Sequence, residues 1–274
     1  MINHLQTLAL NTDNDGEIYF VTDVHGHKTF LIKALKEIGF KFPELSNPSK
    51  ISDKLILLGD LVDRGGEGYE LLQTVRYNPS MFSIRGNHEK IAFDGITRTR
   101  SYYAHWLVNG GEWNESHDEF MLHDALNWAN SLPDAMEVII NNKVRLGLTH
   151  AGLPANHSWD SFKKLIGSVD DMSIKEKKKL HNSILWERDS RDGNINHVIG
   201  IDAMLHGHTV HGGDVKVEGN RVYFDTGCGF SSTSEEEMGL TLLHFKEGGN
   251  ILGLFEAYKF TKDPWTCELI MTKL

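Results

Sequence analysis

Five short stretches of the sequence place acidic, imidazole or amide side chains beside glycine, each directly after an apolar run. In chain order they read TDVHGH (22–27), GDLVDRG (59–65), GNHE (86–89), THAG (149–152) and HGHT (206–209). Together they supply oxygen and imidazole donors from Asp23, His25, Asp60, Asp63, Asn87, His88, His150 and His208. Without a thiolate, this set suits Mn, Fe, Zn or Ni better than a soft metal. A pure Mg or Ca site would use fewer imidazoles.

The charge of such a site would favour an anionic ligand. If two divalent cations bound with Asp23 and Asp60 as the only anionic ligands, neutral Asn87 and the imidazoles would leave the cluster about two charges positive. That surplus would lower the pKa of a bridging water and attract an oxyanion. Two ions about 3.5–4 Å apart would also clamp the attacking and phosphoryl oxygens of an in-line displacement. The pattern therefore predicts a binuclear site for phosphoryl chemistry.

The apolar runs before these stretches have the length and composition of β-strands. They read EIYFVT (17–22), KLILLG (54–59), MFSIRG (81–86), MEVIINN (136–142) and VRLGLT (144–149). Helical patterns at about 28–38 and 68–78 separate the first three, which predicts an α/β fold with a buried, partly parallel sheet. Since ligands bind at the carboxyl ends of strands in such sheets, the five stretches are expected to meet on one rim.

The rest of the chain changes character twice. Residues 90–135 are rich in Trp, Tyr and His at helical spacing and predict a helical insertion, whose aromatic rings favour core packing over a substrate groove. A second helical stretch covers 158–186, and from 213 onward a hairpin about EGN and the strand GLTLLHF are predicted. Without a linker or repeat, we expect one domain spanning 1–274.

Composition excludes several classes of protein. The net charge of −10 argues against binding to nucleic acid or an anionic membrane, which requires a basic face. The N-terminus has no secretory pattern, and no apolar run of about 18 residues occurs. The two cysteines, Cys228 and Cys267, form no disulfide framework. We therefore expect a cytoplasmic protein.

In this order, DVHG, GDLVDRG, RGNHE, HAG and GHT resemble the signature of the metal-dependent serine/threonine phosphoprotein phosphatases. These belong to the calcineurin-like metallophosphoesterases, and the chain is similar to their compact bacterial and bacteriophage lambda-type members. The motifs span residues 23 to 209 and are specific as a set. The resemblance implies a metallophosphoesterase fold of the α/β (α+β) class, with a central β-sandwich flanked by helices and a helical insertion after the third motif.

The resemblance also implies a set of metal ligands and a metal. The first ion would be held by Asp23 and His25, both ions would share Asp60, and the second would be completed by Asn87, His150 and His208. The motif GHT selects His208 over His206. The implied cofactor is a pair of divalent ions, Mn²⁺ first, with Fe, Zn or Ni as alternatives.

For catalysis, the resemblance implies in-line attack of a metal-bridging hydroxide on phosphorus. His88 would protonate the leaving alkoxide and Asp63 would orient its imidazole. Arg64 would hold the phosphate, and Arg188, in LWERD, is a looser match to a second phosphate-binding arginine. A planar guanidinium suits this task because it donates two parallel hydrogen bonds.

Three functions compete. The first is a phosphomonoester hydrolase acting on phosphoserine or phosphothreonine proteins, with dual specificity or small phosphomonoesters as variants. The second is a dinucleoside polyphosphate hydrolase, a relative in which Gln typically replaces the His of the first motif, whereas this chain keeps His25. The third is a non-catalytic binding scaffold, which the intact His88, Asp63 and Arg64 argue against.

Overall fold

The computed structural model describes residues 4–44, 46–47, 49–188, 197–230, 238–248, 251–261 and 269–272, with backbone alone for 252 and 269–272. In this part of the chain, strands form two six-stranded mixed sheets. The first contains, in spatial order, β1 (Leu5–Leu10), β5 (Ala135–Ile140), β6 (Val144–Thr149), β7 (Ala203–His206), β9 (Arg221–Tyr223) and β8 (Lys216–Glu218). The second contains β12 (Leu269–Thr272), β11 (Phe255–Thr261), β10 (Gly239–Phe245), β2 (Ile18–Val21), β3 (Lys54–Leu57) and β4 (Met81–Ser83).

Helices cover the outer faces of the sheets. Their bounds are α1 (Thr12–Asp15), α2 (Lys28–Glu37), α3 (Gly68–Tyr77), α4 (Asn87–Thr97), α5 (Arg100–Val108), α6 (Glu119–Asn130), α7 (Trp159–Gly167) and α8 (Ile174–Trp186). Short 3₁₀ helices lie at Glu112–Ser116, Val169–Asp171 and Ile251–Gly253. Among the described residues, no helix is both long and apolar enough to cross a membrane.

Three apolar cores hold the layers together. A central core lies between the sheets and combines side chains of β2, β3 and β10 with those of β5, β6 and β7. A second packs α2, α3 and the helices of residues 87–130 onto the outer face of the second sheet, and a third packs α7 and α8 onto the first. The expected β-sandwich flanked by helices is therefore confirmed.

The sequence of strand β2 is a continuous apolar run, and the burial of its side chains gives the reason. Ile18 and Phe20 enter the core between the sheets, while Tyr19 and Val21 face the helix-covered core. All four residues are buried because both faces of the strand are covered.

Parallel pairing brings the polar stretches to the same edge. Strands β2, β3 and β4 pair in parallel, with α2 and α3 as their crossovers, so the first three stretches follow neighbouring strand ends. In the other sheet β6 and β7 also pair in parallel, and they carry THAG and HGHT at their ends. The predicted convergence at the carboxyl ends of the strands follows from this topology.

The helical insertion lies between β4 and β5 and consists of α4, α5, the 3₁₀ helix and α6. It begins slightly earlier than residue 90, because the Asn87 and His88 of GNHE form the first turn of α4 itself. Trp106 and Trp113 are buried in the core of this region.

A buried ion pair fastens the loop before GNHE to the start of β5. Arg85, 4% exposed, directs its Nε to Asp134 Oδ1 at 3.0 Å, and Asp134 is fully buried. Burial raises the pKa of Asp134, but His181 and His4, together with the charge of Arg85, outweigh it and hold the pKa well below its usual value. This carboxylate therefore stays ionised in the folded protein.

We expect Asp134→Asn to lower the free energy of unfolding by about 3–5 kcal/mol, because it leaves the Arg85 cation buried without its partner. Urea unfolding at neutral pH measures the change. The difference should shrink below about pH 4, where the unfolded chain protonates Asp134. The control is Glu247→Gln, which removes an exposed pair with Lys143 and should cost less than about 1 kcal/mol. Equal losses in the two variants would contradict a structural role for the Arg85 pair.

Candidate metal and phosphate site

The five polar stretches converge on one cleft of about 620 Å³. Seven of the predicted site residues line it: Asp23, Asp60, Arg64, Asn87, His88, Arg188 and His208. His25, Asp63 and His150 lie directly behind this lining and contact it. The structure thus brings every predicted site residue together.

Asp60 lies at the centre of the cluster. Its Oδ1 is 3.4 Å from His150 Nε2, and its Oδ2 is 3.7 Å from His25 Nε2 and 4.0 Å from His88 Nε2. Asp60 belongs to two groups of possible metal ligands, and within each group the ligand atoms all lie within 4.8 Å of one another. One group contains His25 and His88, and the other contains His150 and His208.

Asp23 joins the first motif to the last. Its Oδ2 accepts hydrogen bonds from Thr22 Oγ1 and from the backbone N–H of His208, the latter at 3.0 Å. Its Oδ1 lies 3.9 Å from His25 Nε2. Burial, aided by the negative charge of Asp60 and opposed by His150, raises the pKa of Asp23 to about 6.

Backbone carbonyl groups fix the orientation of two imidazoles. His25 Nδ1 lies 3.1 Å from Val62 O and His150 Nδ1 lies 2.7 Å from Leu58 O, so each donates its Nδ1–H. In the neutral form, each ring then points its Nε2 lone pair toward Asp60. This is the usual arrangement of metal-binding histidines, in which the second nitrogen is held by an outer hydrogen bond.

Two acceptor oxygens approach His150 Nε2, which donates to them when the ring is protonated. Asn87 Oδ1 lies 2.8 Å away and Asp60 Oδ1 lies 3.4 Å away. Burial alone would lower the pKa of His150, but the carboxylates of Asp60 and Asp23 outweigh it and raise the pKa to about 10. The pocket therefore favours a positive charge at this point, either a proton or a metal ion.

The backbone is strained at the same residues. Nine non-glycine residues in the described ranges have positive φ, and six of them are Asp23, His25, Asp60, Asp63, Arg64 and His208. Left-handed backbone is unfavourable for L-residues and persists where the surrounding structure enforces it, often at functional sites. The sharp turns at the strand ends thus set the directions of these side chains, four of which line the cleft.

His88 and Asp63 form a buried dyad. His88 Nδ1 lies 2.7 Å from Asp63 Oδ2, and Nε2 faces the cleft, 3.2 Å from Arg64 Nη2. Burial lowers the pKa of His88, but the carboxylates of Asp60 and Asp63 outweigh it and raise the pKa. A raised pKa at an imidazole facing the cleft suits proton donation.

Two arginines border the cleft, whereas a third turns away. Arg64 Nη1 lies 2.9 Å from His25 Nε2, and its guanidinium stacks on Phe230 at 4.4 Å. Arg188 also lines the cleft and donates from Nη1 to His208 O at 3.4 Å. Arg85 is engaged by Asp134 instead.

The sequence profile described as Calcineurin-like phosphoesterase matches residues 16–225. The chain belongs to the calcineurin-like phosphoesterase family. It is 31% identical over 225 residues to serine/threonine-protein phosphatase 2 of Salmonella typhimurium, covering 80% of this chain and 90% of that protein. It is 24% identical over 174 residues to the symmetrical bis(5'-nucleosyl)-tetraphosphatase of Baumannia cicadellinicola, covering 62% of this chain and 54% of that protein.

Among solved structures, a serine/threonine phosphatase from Saccharomyces cerevisiae has the same fold. The TM-score is 0.56 at 18% identity, covering 98% of this chain and 83% of that one. Because the chain belongs to the calcineurin-like phosphoesterase family, it is a hydrolase, and that family depends on metal ions.

The residues of the cleft fit divalent metal ions. In this phosphoesterase, the buried Nε2 of His208 has no hydrogen-bond partner within the described part of the chain, although it lies in one of the two groups that share Asp60. Two buried carboxylates and three inward lone pairs form an N/O donor set suited to Mn, Fe, Zn or Ni. His206 Nε2 is also buried without a partner among the described residues, but His206 belongs to neither group that shares Asp60, and its ring stacks on Tyr223.

A third group of potential ligands, His4, Asp134 and His181, lies away from the cleft. Arg85 already neutralises Asp134 there, so a divalent ion would add an uncompensated charge. The cleft is the better metal site of the two.

Sequence reasoning missed Glu89, the last residue of GNHE. Its carboxylate accepts hydrogen bonds from the backbone N–H groups of Asp60 at 2.9 Å, Leu61 at 2.7 Å and Gly86 at 2.7 Å. Burial and the nearby Asp60 raise the pKa of Glu89 to about 7. The available signal was its position three residues after the helix N-cap, which is typical of a capping box.

Proposed function

We propose that this phosphoesterase hydrolyses phosphoserine and phosphothreonine in proteins or peptides, using two divalent ions, with Mn²⁺ as the first choice. The observation that carries the proposal is the buried His88–Asp63 dyad, with Nε2 facing the cleft. A seryl or threonyl oxygen is a strongly basic leaving group and needs a proton as the ester bond breaks. The similarity to a bacterial serine/threonine-protein phosphatase supports the same substrate class.

In this proposal the metal ions are held by the strand-end residues. Asp23 and His25 would bind one ion, Asn87, His150 and His208 the other, and Asp60 both. When bound, such ions lower the pKa of a water molecule and neutralise phosphoryl oxygens.

The remaining side chains position the substrate and supply the proton. Arg64 and Arg188 would each donate hydrogen bonds to non-transferring phosphoryl oxygens, aligning the phosphorus for in-line displacement. As a water oxygen bonds to phosphorus and the ester P–O bond breaks, His88 Nε2 would give its proton to the departing oxygen. The products are the free hydroxyl and inorganic phosphate. Asp63 stabilises the imidazolium before the transfer and fixes its direction.

Hydrolysis of a dinucleoside polyphosphate is the second candidate, since a symmetrical tetraphosphatase is among the relatives. Its leaving group is a nucleotide phosphate, which is far less basic than an alkoxide and needs no proton donor. The dyad therefore favours the phosphomonoesterase.

A substrate panel tests the choice. The chelated protein and the protein reloaded with Mn²⁺ would each be assayed with a phosphoserine peptide, p-nitrophenyl phosphate and diadenosine tetraphosphate. We expect activity only after reloading, and kcat/KM at least about tenfold higher for the peptide than for the dinucleotide, a difference of about 1.4 kcal/mol in transition-state binding. The reverse preference would identify a dinucleotide hydrolase, and full activity after chelation would refute the metal requirement.

A further inference from the structure

The carboxylate of Asp63 is held on both of its oxygens. His88 Nδ1 contacts Oδ2 at 2.7 Å, while the indole N–H groups of Trp106 and Trp113 both donate to Oδ1, at 2.8 and 2.9 Å. Asp63 and Trp106 are fully buried, and Trp113 is 7% exposed. Both tryptophans belong to the helical insertion, whose sequence alone favoured apolar packing.

We propose that Trp106 and Trp113 are positioning residues that hold Asp63, and through it the His88 imidazole, in the orientation needed to deliver a proton to the leaving group. The inference rests on the function proposed above for His88. Neither tryptophan lines the cleft, so each acts only through Asp63.

Electrostatics explains why two neutral donors suit this place. A fully buried carboxylate is costly unless its oxygens accept hydrogen bonds. A cationic partner on Oδ1 would neutralise Asp63 and weaken its attraction for the protonated His88. Indole N–H groups satisfy the oxygen without adding charge, so Oδ2 keeps its full attraction for His88.

Close packing fixes the two indoles themselves. A Cβ added at Gly95 would lie 2.8 Å from Trp106 Cε3, and one at Gly111 would lie 2.5 Å from Trp106 Nε1. The rings of Trp106 and Trp113 meet edge to face, with centroids 5.8 Å apart. With such neighbours the indoles cannot rotate, and the direction of both N–H groups is set by the fold.

The same insertion also holds the residue after Asp63. Gly110, at φ +94°, accepts a hydrogen bond from the Arg64 backbone N–H at 2.9 Å. A Cβ there would lie 2.5 Å from Arg64 N, so the contact requires glycine. The turn 63–64, which carries the carboxylate that orients His88 and a proposed phosphate-binding guanidinium, is thus held by the insertion.

Trp106→Phe and Trp113→Phe test the proposal, because phenylalanine keeps an aromatic ring but removes the N–H. For the Mn²⁺-loaded protein we expect kcat for a phosphoserine peptide to fall about 10–100-fold. Losses of this size are typical when a residue that orients an active-site side chain through hydrogen bonds is removed. The fall for p-nitrophenyl phosphate should be at least about tenfold smaller, because nitrophenolate leaves without a proton. KM should stay within about twofold for both substrates, since ground-state binding is not touched.

Trp159→Phe is the matched control. Trp159 is fully buried on α7, and its Nε1 has no hydrogen-bond partner within the described residues. This variant removes an indole N–H from another core. It should leave the ratio of kcat for the phosphoserine peptide to kcat for p-nitrophenyl phosphate unchanged. If the Trp106 and Trp113 variants also leave that ratio unchanged, their role is packing alone and the inference is wrong.

A second readout needs no catalysis and covers the case in which a tryptophan variant does not fold. In the chelated protein labelled with ¹⁵N-tryptophan, Asp63→Asn should shift the indole N–H resonances of Trp106 and Trp113 but not that of Trp159. Unchanged resonances would overturn the inference whatever the kinetics show. If instead wild-type protein fails to hydrolyse the phosphopeptide while these shifts are seen, the proposed function fails and the Asp63 contacts stand.

Discussion

Replacing His88 with asparagine is expected to lower kcat for a phosphoserine peptide about 10²–10⁴-fold, the usual contribution of a general acid. Asparagine keeps a polar group beside Asp63 but has no proton to transfer at neutral pH. Because Asn87, and not His88, is the proposed ligand, the metal content should not change. Steady-state kinetics and elemental analysis of the same preparation measure both quantities.

His206→Asn is the control for this variant. His206 is also a fully buried imidazole, but it contacts Thr149 and Tyr223 away from the cleft. We expect its kcat to stay within about threefold of wild type, since the variant loses no interaction with the transition state. If His88→Asn instead released metal, His88 would be a ligand and its assignment as the acid would be wrong.

Replacing Asp60 with asparagine is expected to have a still broader effect. Burial raises the pKa of Asp60, but His150 and His88 outweigh it and hold the pKa well below the usual value, so this group is an anion. Asparagine has the same shape but removes the negative charge shared by both ligand groups. We expect the protein to retain at most one ion and activity to fall by about 10³-fold or more, since lowering the pKa of the attacking water requires the bound metal.

Asp53→Asn is the control for Asp60→Asn, because it removes a buried carboxylate that is not a proposed metal ligand. Asp53 is 1% exposed and accepts backbone hydrogen bonds from Glu17 and Lys41, outside the cleft. This variant should be less stable yet bind the same amount of metal per folded chain. Normal metal content in Asp60→Asn would contradict the shared-ligand role.

Much of the fold could be predicted because the same residues that form the site also end the strands. The run before Asp23 is apolar on both faces, the helical spacing after it is regular, and Gly39 ends α2 in the left-handed region. These features are local in sequence. They predicted a buried, partly parallel sheet, and with it the rim where the polar stretches meet.

Strand β1 was not predicted. Its sequence, LQTLAL, alternates only weakly, and most of its residues are partly exposed at the edge of the first sheet. Its place is set by parallel pairing with β5, some 130 residues later in the chain. Such a contact leaves no periodic signal in either segment.

The residues that donate to Asp63 of the dyad could not be identified from the sequence either. Trp106 and Trp113 lie 43 and 50 residues after Asp63. In the sequence they are aromatic residues at helical spacing, a pattern that indicates packing in a core. Which edge of an indole meets a carboxylate depends on how the insertion packs against the turn at 63–64. The sequence therefore predicted the acid and its carboxylate, whereas the donors behind them emerged only from the tertiary structure.

The proposed mechanism requires that two ions share the Asp60 carboxylate. Anomalous diffraction from crystals of the protein equilibrated with Mn²⁺ tests it directly. We expect two peaks in the cleft, one beside Asp23 and His25 and one beside Asn87, His150 and His208, with Asp60 between them. A cleft without a peak, or one with a single peak out of reach of Asp60, would contradict it.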